Sequence, residues 1–595
     1  MKDLKSINKY FVKYKWRLLM GIIFVTVSNL FGILPAQIAR NALDVVVGNI
    51  DAVKLFEGTG VRSQLLQNLS FIIFLFGCIL ILMAILKGVF MFLMRQTIIV
   101  MSRMVEYDQK NEIFNQYQSL GFDFYSKENT GDLMNRISED VGRVRMYVGP
   151  AVMYTINLVV MFALIIWSMV QVNPRLALWV LLPIPIITFI VYKVQDHISK
   201  RSELVQEKLS EIAVFIQEIF SGIRVVKSFS RESYFMKDYD QRSEEYKDVS
   251  MHLVKVNALF MPSMLLLVGL STIITIYAGS LEVLKGRLTI GNIAEFVIYV
   301  NMLTWPVASM GWVISIVQRA SASQRRIDEF LDKKPNVYSG DLPLTKDQMS
   351  VRFQDVSVTY PNSNIKALQE VTFEVKAGES IGIVGKTGAG KSTLVQLLLR
   401  FIDPDEGMLS INNVDLRNLN LAEYRKQIGS VPQDVFLFSD TIANNISFGL
   451  KTDFRKEDIQ WAAKQAVIDE NISQFPDGYE TIVGERGITL SGGQKQRVSI
   501  ARAIIKRPAM LIFDDCLSAV DSVTEERILN NLRTLMNGKT TFLISHRIST
   551  VKSANHIIVI EKGQISEEGT HESLIQRKGI YYEMYQSQNP DADNG

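Results

Sequence analysis

Six stretches of the chain are apolar over about the 20 residues a helix needs to cross a bilayer: 18–37, 69–94, 150–172, 176–194, 258–284 and 293–318. Hydrocarbon offers backbone N–H and C=O groups no partner, so each run predicts a membrane-spanning helix. The connections at 95–149 and 195–257 lack Pro/Gly-rich breaks and keep an apolar residue every three to four positions, as over 198–218. They read as helical hairpins continuing out of the membrane by roughly 35–40 Å. Beyond residue 348 the pattern changes to short apolar runs alternating with charged amphipathic segments, as in a soluble α/β domain. The expected organisation is a membrane domain over 1–325, a linker over 326–348 carrying Pro335, Gly340 and Pro343, a soluble domain over 349–588, and a polar, disordered tail over 589–595.

Charge orients this arrangement. Lys2, Lys5, Lys9, Lys13, Lys15 and Arg17 precede the first span, and the connections after spans two and four are again rich in Lys and Arg. The connection after span one holds Arg40, Lys54 and Arg62 against Asp44, Asp51 and Glu57, and that after span three holds Arg175 alone. The positive-inside bias therefore places the N-terminus, both hairpins and the soluble domain in the cytoplasm of a multi-pass protein of the cell membrane. The first span is preceded by basic residues and followed by Ala36 and Ala39, as in a signal peptide, but five further spans follow. Overall, 64 Lys+Arg against 61 Asp+Glu give +3, which lends no support to nucleic-acid binding, and 48% apolar residues suit a membrane protein. Two cysteines, Cys78 and Cys516, supply neither a disulfide framework nor a four-ligand zinc site.

Several residues inside the spans have two readings. Pro35, Pro183, Pro185, Pro262 and Pro306 each remove a helix hydrogen bond, giving either a packing kink or a bend that shapes a cavity. Lys87 in span two either marks an aqueous path or snorkels toward the cytoplasmic interface. Met261, Met264, Met302, Trp305, Met310 and Trp312 form either an adaptable pocket or ordinary helix packing.

The soluble half carries the chemistry. Gly385, Lys386, Thr387, Gly388, Ala389, Gly390, Lys391, Ser392 and Thr393 follow a strand-like run at 380–384 and open a helix, which is the full P-loop pattern in its required setting. The glycines let backbone N–H groups curl around phosphate oxygens at a helix N-terminus. Lys391 is expected on the β- and γ-phosphates and Ser392 on Mg²⁺. A second apolar strand, 509–513, ends in Asp514 and Asp515, and Asp514 takes the metal-holding role. Between them, Leu490, Ser491, Gly492, Gly493 and Gln494 start another helix and form a second anion-binding nest. A domain already cradling its own nucleotide has no need of that nest, which suits it to nucleotide held by another chain.

In this order of elements the chain resembles the ATP-binding cassette transporters: Walker A at 385–393, Gln433 in Val-Pro-Gln, the signature at 490–494, Walker B ending at Asp514, Ser518-Ala519-Val520-Asp521 as the D-loop, and His546 in Ser-His-Arg. The resemblance implies that Tyr360 stacks on adenine, that Gln433 binds metal and senses the γ-phosphate, and that His546 binds the γ-phosphate. It assigns Ser491, Gly492, Gly493 and Gln494 to nucleotide, and Ser392, Gln433 and Asp514 to Mg²⁺. Asn129-Thr130-Gly131-Asp132-Leu133 with Arg136, and 221–227, look like the hairpin tips of type IV exporters, while Val483-Gly484-Glu485-Arg486-Gly487 is similar to the loop that meets such tips. The implied fold is an α-helical membrane domain of six transmembrane helices with long cytoplasmic extensions, fused to an α/β P-loop ATPase domain with a helical subdomain. The implied activity is ATP-driven export in the lipid bilayer.

One position departs from the family. Its usual general base is a glutamate directly after the Walker B aspartate, and this chain has Asp515. The shorter side chain withdraws the carboxylate by about 1–1.5 Å, where roughly 1 Å can cost 10²-fold, so hydrolysis at this chain's own Walker A is expected to be slow. With the signature intact, the chain is similar to the degenerate half of heterodimeric bacterial multidrug exporters. A second half-transporter subunit and a small lipophilic substrate are the expected partners. A homodimer with two slow sites, a lipid flippase, a peptide exporter and an ATP-gated channel or regulatory subunit remain open.

Overall fold

Long apolar runs poor in breakers form long helices. The computed structural model describes residues 3–344, 348–360, 364–450, 455–517, 520 and 522–588. They divide into two units, Met1–Gln118 with Asn129–Lys333, and Ser119–Glu128 with Lys334–Gly595.

The first unit is helical: α1 (Lys15–Leu55), α2 (Gly60–Ser119), α3 (Val152–Val172), α4 (Pro183–Ser221), α5 (Glu232–Leu284) and α6 (Ile290–Leu331). Among the described residues, Lys15–Leu55, Gly60–Ser119, Thr130–Val172 and Ile290–Leu331 are long and apolar enough to cross a membrane, and Val268–Leu284 is a shorter apolar helical stretch. The stretch 176–194 is helical as expected: the helix Pro174–Leu181 runs on into α4 through Leu182, which keeps right-handed helical angles (φ −54°, ψ −39°) and donates its N–H to the Leu178 carbonyl. Pro183 and Pro185 each take one N–H out of the helical ladder at this point. Pro35, Pro262 and Pro306 stay inside α1, α5 and α6. Because α6 continues through Leu331, residues 326–331, expected in the linker, are helical.

The hairpin turns also refine the expectation. The first is built from a short helix at Phe122–Lys127, after which Asn129 caps the helix Thr130–Asn135 with its side chain. The Asn-Thr-Gly-Asp-Leu motif therefore begins the returning arm rather than forming the tip. The tip itself, Ser119–Glu128, groups with the second unit, where the rings of Phe122 and Phe401 stack at 5.0 Å. The second turn holds its motif as expected, with Gly222 leading into the helix Ile223–Ser228.

Several buried polar groups of the helical unit find partners across helices. Glu295 of α6 is fully buried, pairs with Arg40 of α1 at 3.0 Å and accepts the Tyr299 hydroxyl at 2.9 Å. Nearby, Asp44 accepts from the Thr289 hydroxyl and the Gly291 N–H, tying α1 to the start of α6. Toward the other end of α6, buried Asp140 takes Arg326 and Ser323, while Gln109 bonds Gln324. Lys87 is exposed and its alkyl end runs beside Gly32 of α1. Trp312 packs edge-on to Tyr154, Met302 packs partly buried in a helix-bundle core, and Trp305 is exposed. The side chains of Met261 and Met264 lie outside the described ones.

Among the described residues the second unit has ten strands: β1 (Val351–Tyr360), β2 (Ile365–Val375), β3 (Ser380–Val384), β4 (Glu406–Ile411), β5 (Val414–Asp415), β6 (Ile428–Val431), β7 (Met510–Asp514), β8 (Thr540–Ile544), β9 (His556–Glu561) and β10 (Gln564–Gly569). An antiparallel sheet runs β2-β1-β4-β5 and a mainly parallel one β10-β9-β3-β8-β7-β6. β3, β7 and β8 are buried along their whole length, which explains why their sequences are mainly apolar and polar residues sit only at their ends.

Substituting Glu295 tests the buried pair. E295A is expected to cost about 3 kcal/mol, the low end for breaking a buried pair because Arg40 keeps some contact with solvent. E295Q should cost less, since it still accepts from Tyr299. Thermal unfolding in detergent checks this, and unchanged melting of E295A would count against the pair.

Candidate nucleotide site

Parallel register brings the chemistry to one edge. Ile383 of β3 pairs with Ile544 of β8, and Ile544 pairs with Asp514 of β7, so the three strands end side by side. Beyond those ends lie the P-loop, Asp515 and His546.

The loop after β3 leads into α7 (Lys391–Leu398). Gly388 and Gly390 have φ of +79° and +110°, the left-handed region that glycine alone enters freely. Gly390 has a second reason to be glycine, since a Cβ there would strike the Ala367 carbonyl oxygen. Lys391 is buried, and its Nζ donates to the carbonyls of Gly385 at 2.7 Å and Lys386 at 3.0 Å while lying 3.5 Å from His546 Nδ1. Burial lowers the Lys391 pKa, and Asp515 and Asp514 oppose that shift. Ser392 is exposed in the first turn of α7.

Asp514 is buried, and its carboxyl is pushed up to about 6 by burial first and by the neighbouring Asp515 second, with Lys391 pulling the other way. Asp515 sits at φ +46°, its N–H donates to the Ile544 carbonyl at 2.8 Å, and its Oδ1 accepts the Ser545 hydroxyl at 3.2 Å. Aspartate tolerates this backbone region better than most residues. Burial, then Lys391, lowers the His546 pKa, favouring a neutral ring that accepts from the lysine ammonium. Nothing in the spacing singles out Ser545; its role comes from the adjacency of β7 and β8.

Two carboxylates against one buried lysine fit a divalent cation. Among the described residues no group of three His, Cys, Asp or Glu forms an all-protein cage. A cation here would draw on Asp514, the Ser392 hydroxyl and nucleotide phosphates, which is the way Mg²⁺ is commonly held.

Other predicted residues lie around this edge. Tyr360 ends β1 with its hydroxyl bonded to Thr393 at 3.2 Å and Gln396 at 3.1 Å. Gln433 is exposed just after β6. Ser491 caps α8 (Gly492–Ile504) in a reciprocal capping box with Gln494, at 3.3 and 2.9 Å, and Ser491 and Gly492 are exposed. The capping box thus uses the N–H groups of Ser491 and Gln494, and the signature begins at the unit's surface with Ser491 and Gly492. In the exporter-type loop, Gly484, Arg486 and Gly487 all have positive φ, and the Arg486 carbonyl accepts from Lys495. Of the D-loop, Ser518, Ala519 and Asp521 lie outside the described residues.

Residues 18–307 match the family described as ABC transporter transmembrane region, and residues 368–518 match the one described as ABC transporter. The chain is 36% identical over 81% of its length to the multidrug resistance-like ATP-binding protein MdlA of Escherichia coli, covering 82% of that protein. It is 32% identical over 98% of its length to the probable multidrug resistance ABC transporter ATP-binding/permease protein YheI of Bacillus subtilis, covering 97% of that one. Among solved structures, a bacterial Atm1-family ABC exporter with ATP bound superposes with a TM-score of 0.77 at 26% identity, over 97% of this chain and 98% of that one.

Replacing the lysine tests the cradle. K391A is expected to weaken ATP binding at least about tenfold, as removal of a charge-assisted contact does. Titration with a fluorescent ATP analogue measures it, and unchanged affinity would place the nucleotide elsewhere.

Proposed function

The chain belongs to the ABC transporter family, as an exporter half that spans the membrane, dimerises and hydrolyses ATP to drive export; from that premise we propose that it exports lipophilic or amphipathic compounds, paired with a second, different half-transporter, and hydrolyses ATP slowly at its own Walker A. The multidrug names of its relatives support the cargo class. The distribution of Lys and Arg supports a cytoplasmic N-terminus and ATP-binding domain in the cell membrane.

One observation carries the asymmetry: Asp515 stands where the family's base is glutamate, while the signature Ser491 to Gln494 is complete and starts at the exposed Ser491 and Gly492. In this reading Lys391, Gly388 and Gly390 hold the phosphates, His546 faces the γ-phosphate, and Tyr360 lies against adenine. Ser392, Gln433 and Asp514 hold Mg²⁺, which supplies charge neutralisation for phosphoryl transfer to water. The partner's signature closes this site, and this chain's signature closes the partner's. Closure of the two ATP-binding domains moves the hairpin tips, Phe122–Lys127 and Ile223–Ser228, and turns the cavity outward. Faster hydrolysis at the partner's site resets the cycle.

ATPase and vesicle transport assays of the chain alone and with its partner test this. D515E is expected to raise hydrolysis at this chain's site about tenfold or more. Unchanged turnover in D515E, or full-speed drug transport by this chain alone, would sink the slow-site reading; movement of labelled phospholipid without drug transport would replace the cargo. S491A removes one helix cap worth about 1 kcal/mol. It should leave this chain's own ATP affinity intact while slowing turnover of the assembled dimer, and a loss of affinity in the isolated chain would contradict the swapped role.

A further inference from the structure

His546 sits in the six residues 545–550 that follow β8, a loop that closes into the one-turn helix Ile548–Val551. Each residue of that loop is held from outside it. The Ser545 hydroxyl donates to Asp515 and accepts the Arg547 N–H. Glu525 in α9 (Ser522–Met536) is buried and accepts from Arg547 at 2.6 Å, Ser549 at 3.1 Å and Thr550 at 3.3 Å. The remaining two positions are held by a single side chain. The Gln588 amide donates to the His546 carbonyl at 2.7 Å and accepts the Ile548 N–H at 2.8 Å. It therefore grips the peptide groups on both sides of Arg547 and fixes the backbone from which the imidazole projects to within 3.5 Å of Lys391.

The helix behind Gln588 is anchored at its start and along its buried face. It ends α10 (Ile580–Gln588), whose first two N–H groups, those of Ile580 and Tyr581, donate to the two oxygens of Glu567 at 2.6 and 3.1 Å. Tyr581 is fully buried and its hydroxyl meets His571 at 2.8 Å, while Met584 and Tyr585 pack on the main core. A carboxylate on the N-terminus of a helix is favourable for the same reason an anion is.

We propose that Gln588 is a positioning residue for hydrolysis at the Lys391 site: through two backbone hydrogen bonds it sets the placement of His546 and so links the last helix of the ATP-binding domain to the γ-phosphate end of the site. The inference rests on the assignment of His546 to the γ-phosphate. Gln588 is itself exposed, so its loss removes few apolar contacts and acts mainly on the loop.

The test uses the full chain in its transporter dimer, with single-turnover hydrolysis of radiolabelled MgATP, in both wild-type and D515E backgrounds. Q588A is expected to slow hydrolysis about three- to tenfold, the scale of a sub-ångström misplacement, with MgATP affinity changed less than about twofold. Q588E keeps an acceptor for the Ile548 N–H but sets a carboxylate oxygen against the His546 carbonyl, and should slow hydrolysis at least as much as Q588A; a Q588E rate equal to the parent's also overturns the proposal. In an H546A background, Q588A should add nothing. An unaltered rate in Q588A, or an equal slowing with and without His546, overturns the proposal. If H546A itself hydrolyses at the parent rate, the assignment of His546 fails instead. Amide hydrogen exchange gives a readout independent of turnover: the peptide spanning 545–550 should exchange faster in Q588A while β8 stays protected, and unchanged exchange also overturns it.

Discussion

Everything the soluble unit does chemically depends on the parallel register of β3, β7 and β8. Parallel strands must be covered on both faces, so these three are buried throughout and end at one level. That common edge is where backbone N–H groups and a helix N-terminus are available for phosphate. It is also where Lys391, Asp514, Asp515 and His546 arrive from four separate stretches of sequence. Burial then shapes each group: Lys391 is made less basic, Asp514 more so, and His546 is biased toward its neutral form. A cation and a polyphosphate would relieve all three departures at once, which is a physical reason for such an edge to select MgATP.

The helical unit answers a different constraint, the demand that polar groups away from water find partners. Glu295 meets it with Arg40 and Tyr299, and Asp44 meets it by accepting from Thr289 and Gly291. These pairs join α1 to α6, helices far apart in the chain. Apolar packing alone leaves neighbouring membrane helices free to slide, because lipid is as apolar as leucine. Directional bonds fix register where dispersion does not.

Much of this was legible from residue types and spacing. Long apolar runs translate into helices because nothing else satisfies a backbone in hydrocarbon, and the glycines of the P-loop announce themselves because φ at Gly388 and Gly390 excludes most other residues. Other features leave no such trace. The first hairpin tip lies at Phe122–Lys127 rather than in the motif at 129–133, because the motif's asparagine is a helix cap and caps flank turns instead of occupying them. Glu525, Glu567 and Gln588 hold backbone far from them in sequence and carry no periodic or local signal at all.

The grip on the His546 loop also explains why its last member is an amide. The His546 carbonyl needs a donor and the Ile548 N–H needs an acceptor, both within reach of one side chain. A carboxylate has only acceptors and an ammonium or guanidinium only donors, whereas a glutamine offers one of each on adjacent atoms. A charged residue would further bring a full charge beside the loop that carries His546, whose protonation already responds to Lys391 and Asp515. Glu525 is a carboxylate for the complementary reason: it faces three donors, one of them a guanidinium. Charge is thus kept on the side of the loop that needs acceptors, and the side nearest the His546 carbonyl is held by a neutral group.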